Sequence, residues 1–241
     1  MPVTLSLPVL SELVPGGVDY GSNILVEFEP RSIWFETSLT LTAHALRERV
    51  RTEYHTFQRT PKEVRNGLVR LGANVQAAEA GGNFTIIDSH TVQMGLGPPE
   101  TLQNVVTQSV KLSDWSIGFV KQLKAGAEQG DLGWLHIDDN TGILLEYNQE
   151  KDFIDVWRTR VIPYIRECES LLVYSVLTGV GSDAFHKKLE SLSDGIIDFK
   201  SEEREGRLEQ FVRLGSMRGR SVDTRWRRLK FSEKGEVTIL E

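Results

Sequence analysis

Short apolar runs alternate along the chain with segments in which apolar side chains return every three to four positions. The runs suit buried strands and the periodic segments suit amphipathic helices, so the alternation predicts an α/β domain built on a largely parallel sheet. The first strand is predicted over Asn23 to Phe28, followed by a helix over Ser38 to Arg49 that carries Leu39, Leu41 and Leu46. A second strand is expected around Tyr54 to Phe57. The next helix is punctuated at both ends: Thr60 as N-cap, Pro61 at the first helical position, Glu63 three residues past the cap, Val64, Leu68 and Leu71 on one face, and Gly72 at the close. Phe84 to Asp88 and Trp134 to Ile137 read as strands on either side of a helix over Asp114 to Glu128. Asp152 to Glu169 has helical period, and Pro163 is expected to kink or divide it. A strand over Leu171 to Thr178, a helix over Asp183 to Leu192 and a strand over Gly195 to Phe199 follow. From Arg207 onward, Leu208, Phe211, Val212 and Leu214, then Trp226, Leu229 and Phe231, then Val237 to Leu240 suggest antiparallel strands at a sheet edge.

No Ser/Pro-rich linker, low-complexity tract or repeat interrupts this order. Gly81-Gly82 and Gly95 to Pro99 read as turns, so residues 1–241 are predicted to form one domain. With 39% hydrophobic and 26% charged residues the composition is that of a globular protein with a sizeable core. The balance of 28 basic against 34 acidic side chains gives a net charge of −6, which argues against a chain-wide grip on nucleic acid or anionic lipid and leaves only local patches to consider. Cys168 is the single cysteine; it has no disulfide partner within the chain and no neighbouring thiol for zinc. No apolar run approaches the roughly 18 residues that span a bilayer, and Met1 to Leu10 lacks a basic leader region, so a cytoplasmic protein without a membrane span is expected.

The order of landmarks resembles the KaiC-like branch of the RecA-type P-loop ATPases over most of the chain. Leu192-Ser193-Asp194-Gly195-Ile196-Ile197-Asp198 is similar to that family's "lsDgvi" strand, and Arg207 through Gly219 into Phe231-Ser232-Glu233-Lys234-Gly235-Glu236-Val237 is similar to its KxRG ending. Gly67-Leu68, Leu71-Gly72 and Thr85-Ile86-Ile87-Asp88 fall in the matching places upstream. The resemblance implies a RecA-like, mostly parallel sheet flanked by helices with antiparallel C-terminal edge strands, and a nucleotide-binding core often assembled into rings.

The chemistry of that core is at odds with the residues present. A P-loop needs glycines that let backbone N–H groups close on phosphate oxygens, a lysine for the β- and γ-phosphates and a hydroxyl for Mg²⁺. The window after the first strand reads Pro30-Arg31-Ser32-Ile33-Trp34-Phe35-Glu36-Thr37, in which Thr37 alone agrees. Pro30 removes a donor, Phe35 adds bulk, and Glu36 replaces the lysine charge with a negative one. Glu27 and Glu29 add carboxylates, and each carboxylate–phosphate pair at about 4 Å costs about 1 to 4 kcal/mol. Where the resemblance implies a catalytic glutamate after the second strand, the chain has Thr56-Phe57-Gln58-Arg59-Thr60, and Gln58 is no general base. The Walker B counterpart Trp134 to Asp138 keeps an acidic end, with Asp138 and Asp139 either holding Mg²⁺ through water or capping a strand end. Trp34 and Phe35 are either an exposed partner anchor or a plug in the vacated pocket.

Arg213, Arg218, Arg220, Arg225, Arg227, Arg228 and Lys230 concentrate positive charge near the C-terminus. The resemblance places Arg218 at a subunit interface, with Ser216 at the lysine position of KxRG and Gly219 retained, and Arg220 is taken with Arg218 as a candidate interface residue. Three readings compete for this cluster: an oligomer contact with a neighbour's acidic loop, a nucleic-acid surface, or a solvated face of edge strands. His44, His55, His90, His136 and His186 are scattered without metal-ligand spacing, so structural histidines and no metal site are expected. The combined expectation is a KaiC-like pseudo-ATPase without a catalytic residue or bound cofactor, serving as a regulatory or scaffolding partner in signalling as a homo-oligomer or with a protein partner. Pro30, Phe35, Glu36, Thr37 and Asp138 would mark its degenerate nucleotide site. The alternatives are an ATP sensor binding Mg·ATP through an unconventional loop and a nucleic-acid accessory protein.

Overall fold

The computed structural model describes residues 4–95, 104–128, 130, 132–146 and 149–240. The chain begins with β1 (Thr4–Leu5), α1 (Leu10–Leu13) and β2 (Val18–Asp19), the two strands pairing only with each other. It continues through β3 (Asn23–Phe28), α2 (Trp34–Arg47), β4 (Thr52–Thr56), α3 (Pro61–Arg70), α4 (Val75–Ala80), β5 (Phe84–Asp88), α5 (His90–Gln93), β6 (Val105–Thr107), α6 (Leu112–Glu128) and β7 (Leu135–Asp138). Then come α7 (Glu150–Val156), α8 (Ile162–Glu167), β8 (Leu171–Leu177), α9 (Asp183–Leu192) and the strands β9 (Gly195–Arg204), β10 (Arg207–Met217), β11 (Arg227–Phe231) and β12 (Val237–Ile239).

Ten strands form one sheet in the order β12-β11-β10-β9-β3-β8-β7-β4-β5-β6. From β9 to β6 every described pairing is parallel, and β9 to β12 pair antiparallel, as the hydrophobic pattern predicts. The central parallel strands β3, β8, β7 and β4 are buried on both faces. Ile24, Val26 and Phe28 of β3 pack on the side of α2 and α3, and Leu25 packs on the side of α6 to α9. This double burial explains near-continuous apolar runs in place of strict alternation.

Two boundaries differ from expectation for identifiable reasons. The helix predicted from Ser38 begins at Trp34, because that indole is fully buried and its ring centroid lies 5.4 Å from that of Phe199 in β9. Its run of hydroxyl residues is compatible with a helix because Thr37, Thr40 and Thr42 donate to the carbonyls of Ile33, Glu36 and Ser38 one turn back. β9 runs past Phe199 to Arg204 because β10 turns back onto it through Glu205 and Gly206, at φ 51° and 73°. Two consecutive positive φ angles are those of the tight hairpin turn that matches strand twist. Pro163 divides its helix as expected: a π-helical turn over Trp157–Val161 separates α7 from α8. Gly82, at φ 69°, lies in the turn after α4, and the turn expected at Gly95 to Pro99 falls outside the described residues beyond Gly95.

Candidate functional site

In an open parallel sheet the carboxyl ends of the strands are where ligands are received. After β3 the chain makes a closed turn. The Ser32 N–H donates to the Glu29 carbonyl at 3.1 Å, and Arg31 sits at φ 66°. The turn is bolted to the antiparallel strands: the Glu29 N–H donates to Phe199 O (3.0 Å), the Ser201 N–H to Glu29 Oε2 (3.2 Å), Ser201 Oγ to Pro30 O (3.3 Å) and Gln210 Nε2 to Arg31 O (3.2 Å). Thr37, the one residue of the window with phosphate-loop chemistry, is buried and spends its hydroxyl on Ile33 O at 2.8 Å. Trp34 is core, which removes it as an exposed anchor. Phe35 is half-buried, with the Arg59 guanidinium 4.9 Å from its ring centre. Glu36 makes no side-chain hydrogen bond or ion pair among the described residues, whereas Glu27 pairs with His186 Nδ1 at 2.5 Å.

The acidic strand ends are also engaged. Asp138 accepts from Ser175 N (3.0 Å), Ser175 Oγ (2.5 Å), Thr141 N (3.2 Å) and Thr141 Oγ1. Burial pushes its carboxyl well above the ordinary range, with the Ser175 hydroxyl opposing. Asp139 accepts from Phe57 N (2.7 Å), Gln58 N (3.3 Å) and Thr56 Oγ1 (3.1 Å), and burial raises it to about 6 against those donors. Both carboxylates tie neighbouring strand ends together, the capping role. Of the arginines, Arg218 donates to Asp194 Oδ1 (2.8 Å) and keeps an exposed side chain, while Arg220 donates to Gly17 O (2.8 Å) and Asp19 Oδ2 (3.3 Å) and so fastens the N-terminal strand pair of its own chain. Arg213 pairs with Asp198, Arg225 and Arg227 with Asp223, and Arg228 with Glu209.

The whole architecture matches solved structures. The KaiC-like protein PH0186 from Pyrococcus horikoshii superimposes with a TM-score of 0.71 at 14% identity, over 100% of this chain and 99% of that one. The chain has a KaiC-like, RecA-type fold. The uncharacterized protein PH0321 from the same organism, crystallised with an unknown peptide, matches at a TM-score of 0.76 and 12% identity over 98% of this chain and 99% of its own. No protein-family model matches the chain, and no curated protein matches it significantly.

Within the KaiC-like fold the histidines are not scattered as the sequence suggests. His44 pairs with Glu236, His186 with Glu27, and His90 Nδ1 lies 3.3 Å from Phe57 O. His55 and His136 come together, with ring centroids 5.9 Å apart, on either side of the buried carboxylate of Glu53. Sequence reasoning missed this trio because Glu53 precedes the strand predicted from Tyr54 and the two histidines are 81 positions apart in sequence (136 − 55). The available signal was His136 standing between Leu135 and Ile137 in a buried strand, and Glu53 and His55 alternating on one face of β4. Among the described residues no helix is long and apolar enough to cross a membrane.

Proposed function

We propose that this KaiC-like protein is a pseudo-ATPase that neither hydrolyses ATP nor binds it in the usual way, and that it acts as a regulatory or scaffolding partner in intracellular signalling. The observation that carries this reading is the turn from Glu29 to Ile33. Its backbone hydrogen bonds inward and to β9 and β10, its helix-opening hydroxyl is occupied by Ile33 O, and the unpaired side chain at the lysine position is the carboxylate of Glu36. A polyphosphate there would meet negative charge in place of a cradle of donors. A protein or peptide partner fits the unknown peptide bound by PH0321. The arginines support a solvated or protein-facing surface better than a nucleic-acid one, because most of them face carboxylates of their own chain.

Calorimetric titration with Mg·ATP and Mg·ADP, followed by an assay for released phosphate, tests the reading. The expected result is no binding up to millimolar nucleotide and no phosphate. One-to-one binding that Thr37→Ala abolishes would replace it with an ATP sensor.

A further inference from the structure

Near the amino ends of the interior strands β4 and β7, away from the turn at the carboxyl end of β3, lies a second polar cluster. Glu53 is the second residue of β4 and His136 the second of β7, directly paired across the two parallel strands; His55, two positions after Glu53, shares its face. The period of two puts all three side chains on the side covered by α6. Glu53 Oε2 is 3.0 Å from His136 Nδ1 and 3.6 Å from His55 Nε2, and all three residues are buried. Yet Glu53 Oε2 and all four imidazole nitrogens lack a hydrogen-bond partner. A buried polar atom without a partner is uncommon, and here one such atom from each of Glu53, His55 and His136 lies within 4.8 Å of the other two, which calls for a group that satisfies the three together.

We infer that Glu53, His55 and His136 bind one divalent transition-metal ion, zinc being the ion that this donor set suits best. Two imidazoles and a carboxylate are a recurrent three-ligand set for Zn²⁺ that leaves a fourth position open. With metal–ligand bonds of about 2.0 to 2.2 Å, tetrahedral geometry separates donors by about 3.3 Å, and the two measured separations from Glu53 Oε2 bracket that value. The supporting shell is present. Gln122 Nε2 of α6 donates to the other carboxylate oxygen, Glu53 Oε1, at 2.8 Å, fixing the orientation in which Oε2 faces the imidazoles. Phe119 meets both imidazole rings edge-on, at 5.3 Å from His55 and 5.2 Å from His136, and Trp115 stacks on Phe119. A cavity of about 210 Å³ adjoins Glu53 and His136, lined also by Gln122, Trp134, Cys168 and Ser170 but not by His55, and has room for a water as a fourth ligand.

The test uses the untagged full chain, stripped with chelator and equilibrated with Co²⁺, whose visible bands report nitrogen and oxygen ligation, followed by displacement with Zn²⁺. We expect one equivalent of Co²⁺ with the intense bands of a four- or five-coordinate site, lost on adding Zn²⁺. Glu53→Gln and His136→Gln should each weaken binding at least about tenfold, and Gln122→Ala about tenfold through the outer shell. His44→Gln, which alters a histidine near the surface, should leave binding unchanged. Absence of the bands in the wild-type protein overturns the inference, as does binding that survives Glu53→Gln and His136→Gln or is lost in His44→Gln. If the buried variants do not fold, the wild-type spectrum and its persistence in His44→Gln decide. Nucleotide binding at the turn after β3 does not enter this readout, so the site stands or falls independently of the proposed function.

Discussion

At the scale of single residues, the turn after β3 carries a local cost. Arg31 occupies the left-handed region at φ 66°, where a side chain with a Cβ is disfavoured by about 1 to 2 kcal/mol. Its carbonyl is held by Gln210, and its own side chain is exposed. Arg31→Gly should therefore stabilise the protein, by about 0.5 to 1 kcal/mol once the greater freedom of glycine in the unfolded chain is subtracted. Urea unfolding measures it; equal or lower stability would show that the turn is not strained. The sequence identified Pro30, Phe35 and Glu36 as departures from phosphate-loop chemistry, because that requirement is one of residue type. It left the roles of Trp34 and Thr37 open, because burial against Phe199 and a bond to Ile33 O depend on where β9 and the first turn of α2 lie.

At the scale of elements, α3 shows how far local rules reach. Thr60 Oγ1 accepts from Glu63 N at 3.3 Å, and Glu63 Oε2 accepts from Thr60 N at 2.8 Å, the reciprocal box read from the sequence. The Thr60 N–H first, and second the Thr60 hydroxyl, which also donates to Glu63 Oε2 at 2.8 Å, lower the Glu63 pKa below its ordinary 4.5. A lowered folded-state pKa contributes stability that is fully present above the unfolded value and is lost as pH falls through the folded one. Thr60→Ala should cost about 1 kcal/mol at pH 7, and the gap between variant and wild type should narrow as pH drops below 4.5. Thermal unfolding at pH 7 and pH 3 checks both parts; a gap that stays constant would detach the cap from Glu63. Helix ends set by packing were less legible. α2 starts four residues before its predicted position because Trp34 enters the core. The break at Pro163, by contrast, was readable, since a residue without an N–H disrupts the helical ladder wherever it stands.

At the scale of the molecule, the antiparallel strands do more than close the sheet. β9 and β10 hold the Glu29 to Ile33 turn through Ser201 and Gln210, so the antiparallel strands of the fold fix the loop after β3. Among the described residues Glu36 has no side-chain partner, and Arg218 keeps an exposed guanidinium although Asp194 pairs with it. On the proposed reading, acidic side chains stand where a neighbour's arginine once met phosphate. Wild-type protein should then sediment as an oligomer that Glu36→Lys shifts toward monomer. An unchanged distribution in the variant would remove Glu36 from any such contact.

The sequence by itself determined the fold class, the order of the principal strands and helices from β3 onward and the capped ends of α3, since periodicity, propensity and side-chain chemistry act within a few residues of one another; the short elements β1, α1, β2, α4, α5 and β6 were not legible in it. Tertiary structure alone decided which side chains converge. His136 lies 83 positions after Glu53 in sequence (136 − 53), yet β4 and β7 are hydrogen-bonded neighbours in register, so parallel pairing brings an imidazole within 3.0 Å of the carboxylate. No local pattern encodes that register: it follows from how the central parallel strands order themselves to bury both faces of one sheet.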